Sequence, residues 1–168
     1  MKQVRQGLFE TNSSSVHSLS IRGKDSLVTV THLKGEFGEF GWGYERLEYP
    51  DVKLSYILTG IVAPIDNTYY ITSKDDNLET FEKVKHLFLN SEKFKWLNEA
   101  VLEVTGEEIY FDWDEIKDFG YIDHQSMSSC CPDALYDFWS LDKEQFQKNM
   151  INIIFNYKYD IIIDNDNH

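Results

Sequence analysis

A dense polar cluster with an embedded histidine lies near the amino terminus of this chain. Because side chains at alternate positions of an extended segment point to one face, Ser13, Ser15 and His17 are predicted to converge. A histidine beside a serine can act as a general base, and several hydroxyls with backbone N–H groups can hold a phosphate or a carboxylate. The candidate ligand-binding residues here are Glu10, Thr11, Asn12, Ser13, Ser14, Ser15 and His17, followed directly by Ser18.

The same cluster also has a structural interpretation. Serine and asparagine side chains commonly satisfy backbone groups where a strand begins. The chain also has no nucleophile elbow of the G-x-S-x-G type. The cluster is therefore compatible with a ligand-binding role, with a catalytic role for His17, and with a role in starting a strand.

A second polar motif contains Asp123, His124, Gln125 and Ser126. Asp123 and His124 could bind a divalent metal or act in catalysis, because imidazole and carboxylate are common ligands of zinc, manganese and iron. Two adjacent residues cannot complete a metal site, so further ligands would have to come from distant segments. The candidates are His17, Asp164 and Asp166.

Asp164 and Asp166 follow a predicted strand, where alternation would place both carboxylates on the same side. Paired carboxylates of this kind commonly hold Mg²⁺. An acidic run near the end of a chain is more often solvated surface. The sequence thus allows a divalent metal without identifying one.

In the stretch 35–45, glycine alternates with aromatic and acidic residues. Each glycine weakens a helix, so this stretch is predicted to be an ordered loop. Its aromatic residues, Phe37, Phe40, Trp42 and Tyr44, could stack on a base or anchor a partner protein, since Trp and Tyr dominate binding hot spots. Core packing explains them equally well. Trp42 joins Gln125 and Ser126 in the set of predicted ligand-binding residues.

The 168-residue chain has a formal charge of −13, from 29 acidic and 16 basic residues. Like charge repels nucleic acid and anionic membranes, so nonspecific binding to either is not expected. A small basic patch, Lys2, Arg5, Arg22 and Lys24, surrounds the polar cluster. An acidic surface can complement a basic surface of another protein, although many ordinary proteins are comparably acidic. The predicted partner is a protein with a basic surface or a small phosphate-bearing ligand.

The two cysteines, Cys130 and Cys131, are adjacent. A disulfide between neighbouring residues is strained and rare, so they supply no secreted disulfide framework, and their spacing is a poor zinc signature. The sequence contains no hydrophobic run of signal-peptide or membrane-spanning length. We therefore expect a cytoplasmic protein without membrane association.

The elements that must position these residues mix strands and helices. Strands are predicted at 16–21 and 27–32, which would form a hairpin, and at 108–113 and 159–163. A central helix is predicted from Pro50 to near Gly60, and an amphipathic helix over 141–155. Two further helices should begin after Asn77 and Ser91, the second ending at Gly106.

The absence of a regular βαβ repeat favours the α+β class over a doubly wound sheet. A length of 168 residues fits one domain, spanning 1–168. We predict a small, mainly antiparallel sheet packed with three to five helices.

At these motifs the chain resembles a group of small hypothetical proteins from tailed bacteriophages and prophages. The resemblance rests on Phe-Glu-Thr-Asn-Ser-Ser-Ser-Val-His-Ser at 9–18, Gly-Glu-Phe-Gly-Trp at 38–42, and Tyr-Ile-Asp-His-Gln-Ser at 121–126. It implies a phage or mobile-element accessory protein in a bacterial host cell, but it brings no activity. Small acidic phage proteins resemble inhibitors of bacterial immune systems in charge and size, which suggests a counter-defence role by analogy.

Two classes of function follow. The first is a binding module, such as a counter-defence inhibitor, that uses an acidic surface and the polar cluster. The second is a metal-dependent hydrolase of the phosphoesterase type, in which His17, Asp123, His124 and Asp164 surround a metal that activates water. Hydrolysis requires these distant segments to meet, whereas inhibition requires only a continuous acidic face. We predict a binding role in which the N-terminal cluster and the 123–126 motif lie close together and form one pocket.

Overall fold

The main sheet is antiparallel and is built around a strand from the carboxyl-terminal end of the chain. The structure is a computed structural model that describes residues 2–3, 15–22, 25, 27–66, 72–123, 126–127 and 130–165. The sheet has the spatial order β1 (Lys2–Gln3), β2 (Ser15–Ile21), β6 (Tyr159–Asn165) and β4 (Glu45–Leu47). A separate two-stranded sheet pairs β3 (Glu39–Phe40) with β5 (Tyr121–Ile122) in parallel.

Helices pack around α1 and against the main sheet. In the described part of the chain they are α1 (Pro50–Asp66), α2 (Leu78–Asn90), α3 (Glu92–Thr105), α4 (Tyr136–Trp139) and α5 (Lys143–Phe155). The predicted α+β fold, with a small and mainly antiparallel sheet and three to five helices, is confirmed.

β6 is central because it is long and strongly β-favouring. It pairs with β2 along the whole of both strands, from Ser15 opposite Asn165 to Ile21 opposite Tyr159. Ile161 and Ile163 are completely buried and define the core face of the sheet. Directly opposed residues of an antiparallel pair share a face, so Leu19 and His17 lie on that core face.

The predicted hairpin between 16–21 and 27–32 is wrong. β2 pairs with β1 and β6, whereas 27–32 contributes one isolated bridge, from Leu27 to Asn156. The predicted strand at 108–113 is also absent, and Tyr110 forms one bridge to Lys34 there. Alternation predicts which side chains share a face but not which strand is the partner, and β6 and β1 occupy both edges of β2.

α1 is buried on nearly all sides, as its sequence predicts, but its predicted end near Gly60 is wrong. The helix continues to Asp66. Gly60 is buried inside it, where a Cβ atom would lie 2.4 Å from Cγ of Pro132. The glycine therefore permits a close approach to the segment that follows the cysteines, and does not end the helix.

The helix boundaries that depend on local caps are confirmed. The Asn77 side chain accepts a hydrogen bond from the Thr80 N–H at 3.0 Å, and Ser91 Oγ accepts one from the Phe94 N–H at 3.4 Å. Gly106 ends α3 in the left-handed conformation, with φ of 82°. The helix predicted at 141–155 is observed as α5.

The aromatic residues of the glycine-rich stretch divide between core and surface. Phe40 is buried, and Phe37 packs against Phe88 and Phe119. Trp42 and Tyr44 are exposed by 74% and 57%. Core packing therefore accounts for the two phenylalanines and leaves Trp42 and Tyr44 for a surface role.

An ion-pair cluster occupies the face of the main sheet opposite Ile161 and Ile163. Asp160, which is nearly inaccessible, accepts a hydrogen bond from Arg46 Nη2 at 2.8 Å and another from Arg22. Burial raises the pKa of Asp160, while the Arg22 charge opposes the increase. Arg22, a member of the predicted basic patch, is thus engaged within the protein. Arg5 and Lys24 lie outside the described residues.

Within the ranges described, none of the helices is long and apolar enough to cross a membrane.

Candidate binding site

Ser15 joins the start of β2 to the turn that follows β5. Its Oγ donates a 2.6 Å hydrogen bond to Oδ2 of Asp123 and lies 3.0 Å from Oγ of Ser126. Ser126 Oγ in turn donates to the Ser15 carbonyl oxygen at 2.8 Å. Ser15 and Ser126 are both buried, and Asp123 is partly exposed. The structure thus brings the end of the N-terminal polar cluster onto the 123–126 motif.

His17 lies two positions farther along β2 and faces the same side as Ser15. Its Nδ1 is 2.9 Å from the hydroxyl oxygen of Tyr56, and its Nε2 is 3.4 Å from Ser15 Oγ. Burial lowers the pKa of His17 from 6.5 to about 4, and the Asp123 charge opposes this only partly. The imidazole is therefore neutral at physiological pH.

The hydrogen-bond directions follow from the number of protons available. Ser15 has one hydroxyl proton and donates it to Asp123, so the contact with His17 requires Nε2–H to donate to Ser15. Nδ1 of the neutral ring is then an acceptor, and the Tyr56 hydroxyl donates to it. Burial raises the pKa of Tyr56 well above its usual value, which keeps this proton in place. The chain of donors runs from Tyr56 through His17 and Ser15 to the Asp123 carboxylate.

This direction has a chemical consequence. A serine nucleophile needs a histidine nitrogen that can accept the hydroxyl proton, and here Nε2 carries a proton of its own. Ser15 is also almost completely buried. The arrangement therefore orients the Asp123 carboxylate and does not activate Ser15 for attack.

Gly41 allows the glycine-rich stretch to pass directly over this network. Its φ of +118° is one that residues with a side chain rarely adopt. A Cβ atom at Gly41 would lie 2.6 Å from Cβ of Asp123 and 3.3 Å from Ser15 Oγ. The next residue along the chain is Trp42.

An aromatic pair lies beside Asp123. The rings of Trp42 and Tyr121 have centroids 6.2 Å apart and planes inclined by 30°. Tyr121 and Asp123 are two positions apart along β5 and its continuation, with buried Ile122 between them, so they share a face. Glu39 is opposite Tyr121 in the parallel pair and is exposed. Two carboxylates therefore flank an accessible aromatic surface.

The structure brings together four of the residues predicted from the sequence, namely Ser15, His17, Asp123 and Ser126. A fifth, Trp42, contacts Tyr121, two positions before Asp123. The other predicted ligand-binding residues, Glu10, Thr11, Asn12, Ser13, Ser14 and Gln125, lie outside the described residues, as do the metal and catalytic candidates His124 and Asp166. Ser18 belongs to the opposite face of β2 from His17.

The predicted metal set that combines His17 with Asp164 is wrong. His17 is opposite Ile163 and lies on the core face, whereas Asp164 is opposite Val16 and lies on the other face of the sheet. Among the described residues no group of three or more His, Cys, Asp or Glu could hold a metal ion. A strand separates the two side chains because its alternation has a period of two residues.

Tyr56, Gly41, Tyr121 and Glu39 were missed as functional residues in the sequence. Tyr56 lies in the middle of an apolar helix, and a buried tyrosine hydroxyl usually requires a hydrogen-bond partner. That requirement is a detectable signal, but it does not identify His17 as the partner. Tyr121 adjoins the 123–126 motif, and its contact with Trp42 is what identifies it as part of the site.

Comparisons with protein-family models, with curated proteins and with solved structures found no match. Inferences about function therefore rest on the geometry of this site.

Proposed function

We propose that this protein is a binding module whose site takes a cationic side chain from the basic surface of a partner protein. Asp123 supplies the anionic acceptor, and Trp42 with Tyr121 supplies the aromatic surface. The observation that carries the proposal is the chain of hydrogen bonds directed at Asp123, which shares a face with Tyr121 and its ring partner, the exposed Trp42.

Charge and ring chemistry favour a cation as the bound group. The guanidinium of arginine and the ammonium of lysine are attracted to the faces of tryptophan and tyrosine rings, and a neighbouring carboxylate adds a charge-assisted hydrogen bond. Glu39 adds a second negative charge to the same face. A phosphate-bearing ligand, the other partner expected from the sequence, would be repelled by these carboxylates.

The wider surface supports the same partner. Glu107, Glu108 and Asp114 are exposed, and Asp112 is partly exposed. In a chain of charge −13 these carboxylates would attract a basic partner over long range and increase its association rate. Reversal of all four to lysine should slow association, and unchanged binding would exclude a role for this acidic surface.

The biological setting remains part of the proposal. The resemblance of 9–18 and 121–126 to phage and prophage proteins supports an accessory role in a bacterial host cytoplasm. Counter-defence inhibitors are one class that would use an acidic surface to occupy a basic groove on a bacterial protein.

The proposal can be tested by calorimetric titration with a short peptide of alternating arginine and glycine. Trp42→Ala should weaken binding about tenfold, since a partly desolvated cation–π contact contributes roughly 1–2 kcal/mol. The matched control is Tyr110→Ala, which removes an exposed aromatic ring from a different part of the surface. Equal affinities of the wild-type protein and Trp42→Ala would refute the proposal. Binding of inorganic phosphate in place of the peptide would also refute it.

The alternative function, a metal-dependent hydrolase, requires His124, which lies outside the described residues. Asp164 cannot act together with His17, because the two side chains lie on opposite faces of the sheet. The hydrolase alternative is tested with a chromogenic phosphodiester and added Mn²⁺. Hydrolysis that His124→Ala abolishes would favour this alternative, whereas equal hydrolysis by that variant would exclude it. Native mass spectrometry without chelator would show whether a metal or nucleotide accompanies the purified protein.

A further inference from the structure

Cys130 and Cys131 form a dithiol whose sulfur atoms are in contact. The two Sγ atoms are 3.6 Å apart, which is a thiol–thiol contact and not a disulfide. A disulfide requires about 2.05 Å between the sulfurs, so its formation would need side-chain rotation together with a change of the backbone that joins the two residues. Cys130 is exposed, whereas Cys131 is completely buried. A dissolved reagent can therefore reach the first sulfur, and the second is positioned to react with it.

A lysine side chain interacts with the two cysteines through its charge. Lys93 interacts electrostatically with Cys130 and with Cys131. Its Nζ is also 4.5 Å from the ring centroids of Trp96 and Phe146, which restrict where the ammonium can lie. A cysteine attacks a disulfide in its thiolate form.

We propose that Cys130 and Cys131 are a reversible oxidation site that reacts with low-molecular-weight disulfides such as oxidised glutathione. The Cys130 thiolate attacks one sulfur of the reagent, giving a mixed disulfide and releasing one thiolate. Cys131 then attacks Cys130 Sγ and expels the second thiolate. The protein loses two electrons and two protons, and the reagent gains them as two thiols.

The product would be easy to reduce again. Neighbouring Cα atoms are about 3.8 Å apart, which is less than the roughly 4.4–6.8 Å found in ordinary disulfides. A disulfide between adjacent residues is therefore strained, and strained disulfides have the higher reduction potentials typical of labile bonds. This strain makes the pair suitable for reversible modification and unsuitable as a structural crosslink.

The position of the dithiol connects it to the binding site. Met127 and Pro132 form an antiparallel bridge on either side of the cysteines, and Ser126, next to Met127, bonds to Ser15. On the other side, Pro132 packs closely against Gly60 of α1. A change of backbone at the cysteines would therefore be transmitted to the contact between Ser126 and Ser15.

The test uses the full chain in buffers of defined ratios of reduced to oxidised glutathione, followed by acid quenching and intact mass measurement. The wild-type protein should lose two hydrogen atoms, and dithiothreitol should restore its mass. Cys131→Ser should stop at the glutathione adduct, and Cys130→Ser should remain unmodified because its remaining thiol is buried. A stable adduct on the wild-type protein, or disulfide-linked dimers, would overturn the proposal.

A second readout tests the link to the binding site. The NMR signals of the His17 ring should shift when the wild-type protein is oxidised and should not respond in Cys130→Ser under the same conditions. Unchanged His17 signals in the fully oxidised protein would overturn this coupling. Neither measurement depends on cation binding, so the failure of one proposal leaves the other intact.

Discussion

Ser15 Oγ donates a 2.6 Å hydrogen bond to Asp123 Oδ2 across 108 positions of sequence. This bond joins the strand that carries His17 to the turn that carries Ser126. It also determines which atom donates in each hydrogen bond of the network, because Ser15 donates its single hydroxyl proton to the carboxylate. Asp123 therefore accepts the hydrogen bond of a buried polar chain, and it shares a face with Tyr121, the ring partner of the exposed Trp42.

Replacement of Ser15 by alanine should destabilise the protein. Asp123 Oδ2 would lose a hydrogen-bond donor, and the buried His17 Nε2–H would lose its acceptor; such losses cost about 1–3 kcal/mol. Urea unfolding measures the difference in free energy. The control is Ser140→Ala at an exposed position, which should change stability by less than about 0.5 kcal/mol. Equal stability of the two variants would show that the Ser15 network contributes nothing.

The loss of unfolding free energy at acid pH should depend on His17. Its folded-state pKa of about 4 lies below the unfolded value of 6.5, so the unfolded chain binds more protons between these values. Stability from the neutral imidazole is complete above about pH 6.5 and is lost as the pH falls towards 4, by about 3 kcal/mol in total.

Urea unfolding at several pH values, compared between the wild-type protein and His17→Gln, checks this expectation. The variant should lose less stability over the same interval, because it has no imidazole to protonate at this position. His86→Gln, which changes an exposed histidine, should follow the wild-type curve. If His17→Gln lost as much unfolding free energy at acid pH as the wild-type protein, protonation of His17 would not be the cause.

Gly41→Ala should destabilise the fold and disturb the site together. The added Cβ would meet Cβ of Asp123 at 2.6 Å, and the φ of +118° is strained for alanine. We expect a loss of at least about 1–3 kcal/mol in unfolding free energy. Gly43→Ala is a close control, since a Cβ there meets no atom within 4 Å and its stability should remain near wild type. Similar stabilities of the two variants would argue against the close packing at Gly41.

Asp123→Asn should weaken binding of the arginine peptide by roughly ten- to a hundredfold, because the lost charge-assisted bond is worth roughly 1.5–3 kcal/mol. The asparagine retains an oxygen acceptor for Ser15. The salt dependence of binding should also decrease, since one charge is removed. Asp137→Asn, at an exposed position of α4, makes the same change of charge elsewhere. If both variants bind equally well, net charge and not the Asp123 site governs recognition.

Local chemistry in the sequence was enough to predict several elements. Asn77, Ser91 and Gly106 define helix ends through contacts with residues only a few positions away, so their roles follow from residue type. The alternation at 16–21 likewise predicted β2 and the shared face of Ser15 and His17, because strand geometry has a fixed period of two residues.

Partners distant in the chain were decided by the tertiary structure. The apolar alternation of 27–32 is genuine, but β6 and β1 occupy the edges of β2, so the expected hairpin does not form. Glycine commonly ends helices, yet Gly60 lies inside α1, where the absence of a side chain allows Pro132 to approach closely. Neither the pairing of β2 nor the contact of Gly60 can be predicted from neighbouring residues, since each depends on a segment more than sixty positions away.

The same division applies to the site. Residue types alone identified Ser15, His17, Asp123 and Ser126 as polar groups in two motifs, with two adjacent cysteines after them. The folded chain was needed to show that Ser15 bonds to Asp123, that Tyr56 is the partner of His17, and that Asp164 is on the far face of the sheet. Residue type fixes the chemistry available to each side chain, whereas packing of the whole chain fixes which groups come within hydrogen-bond distance.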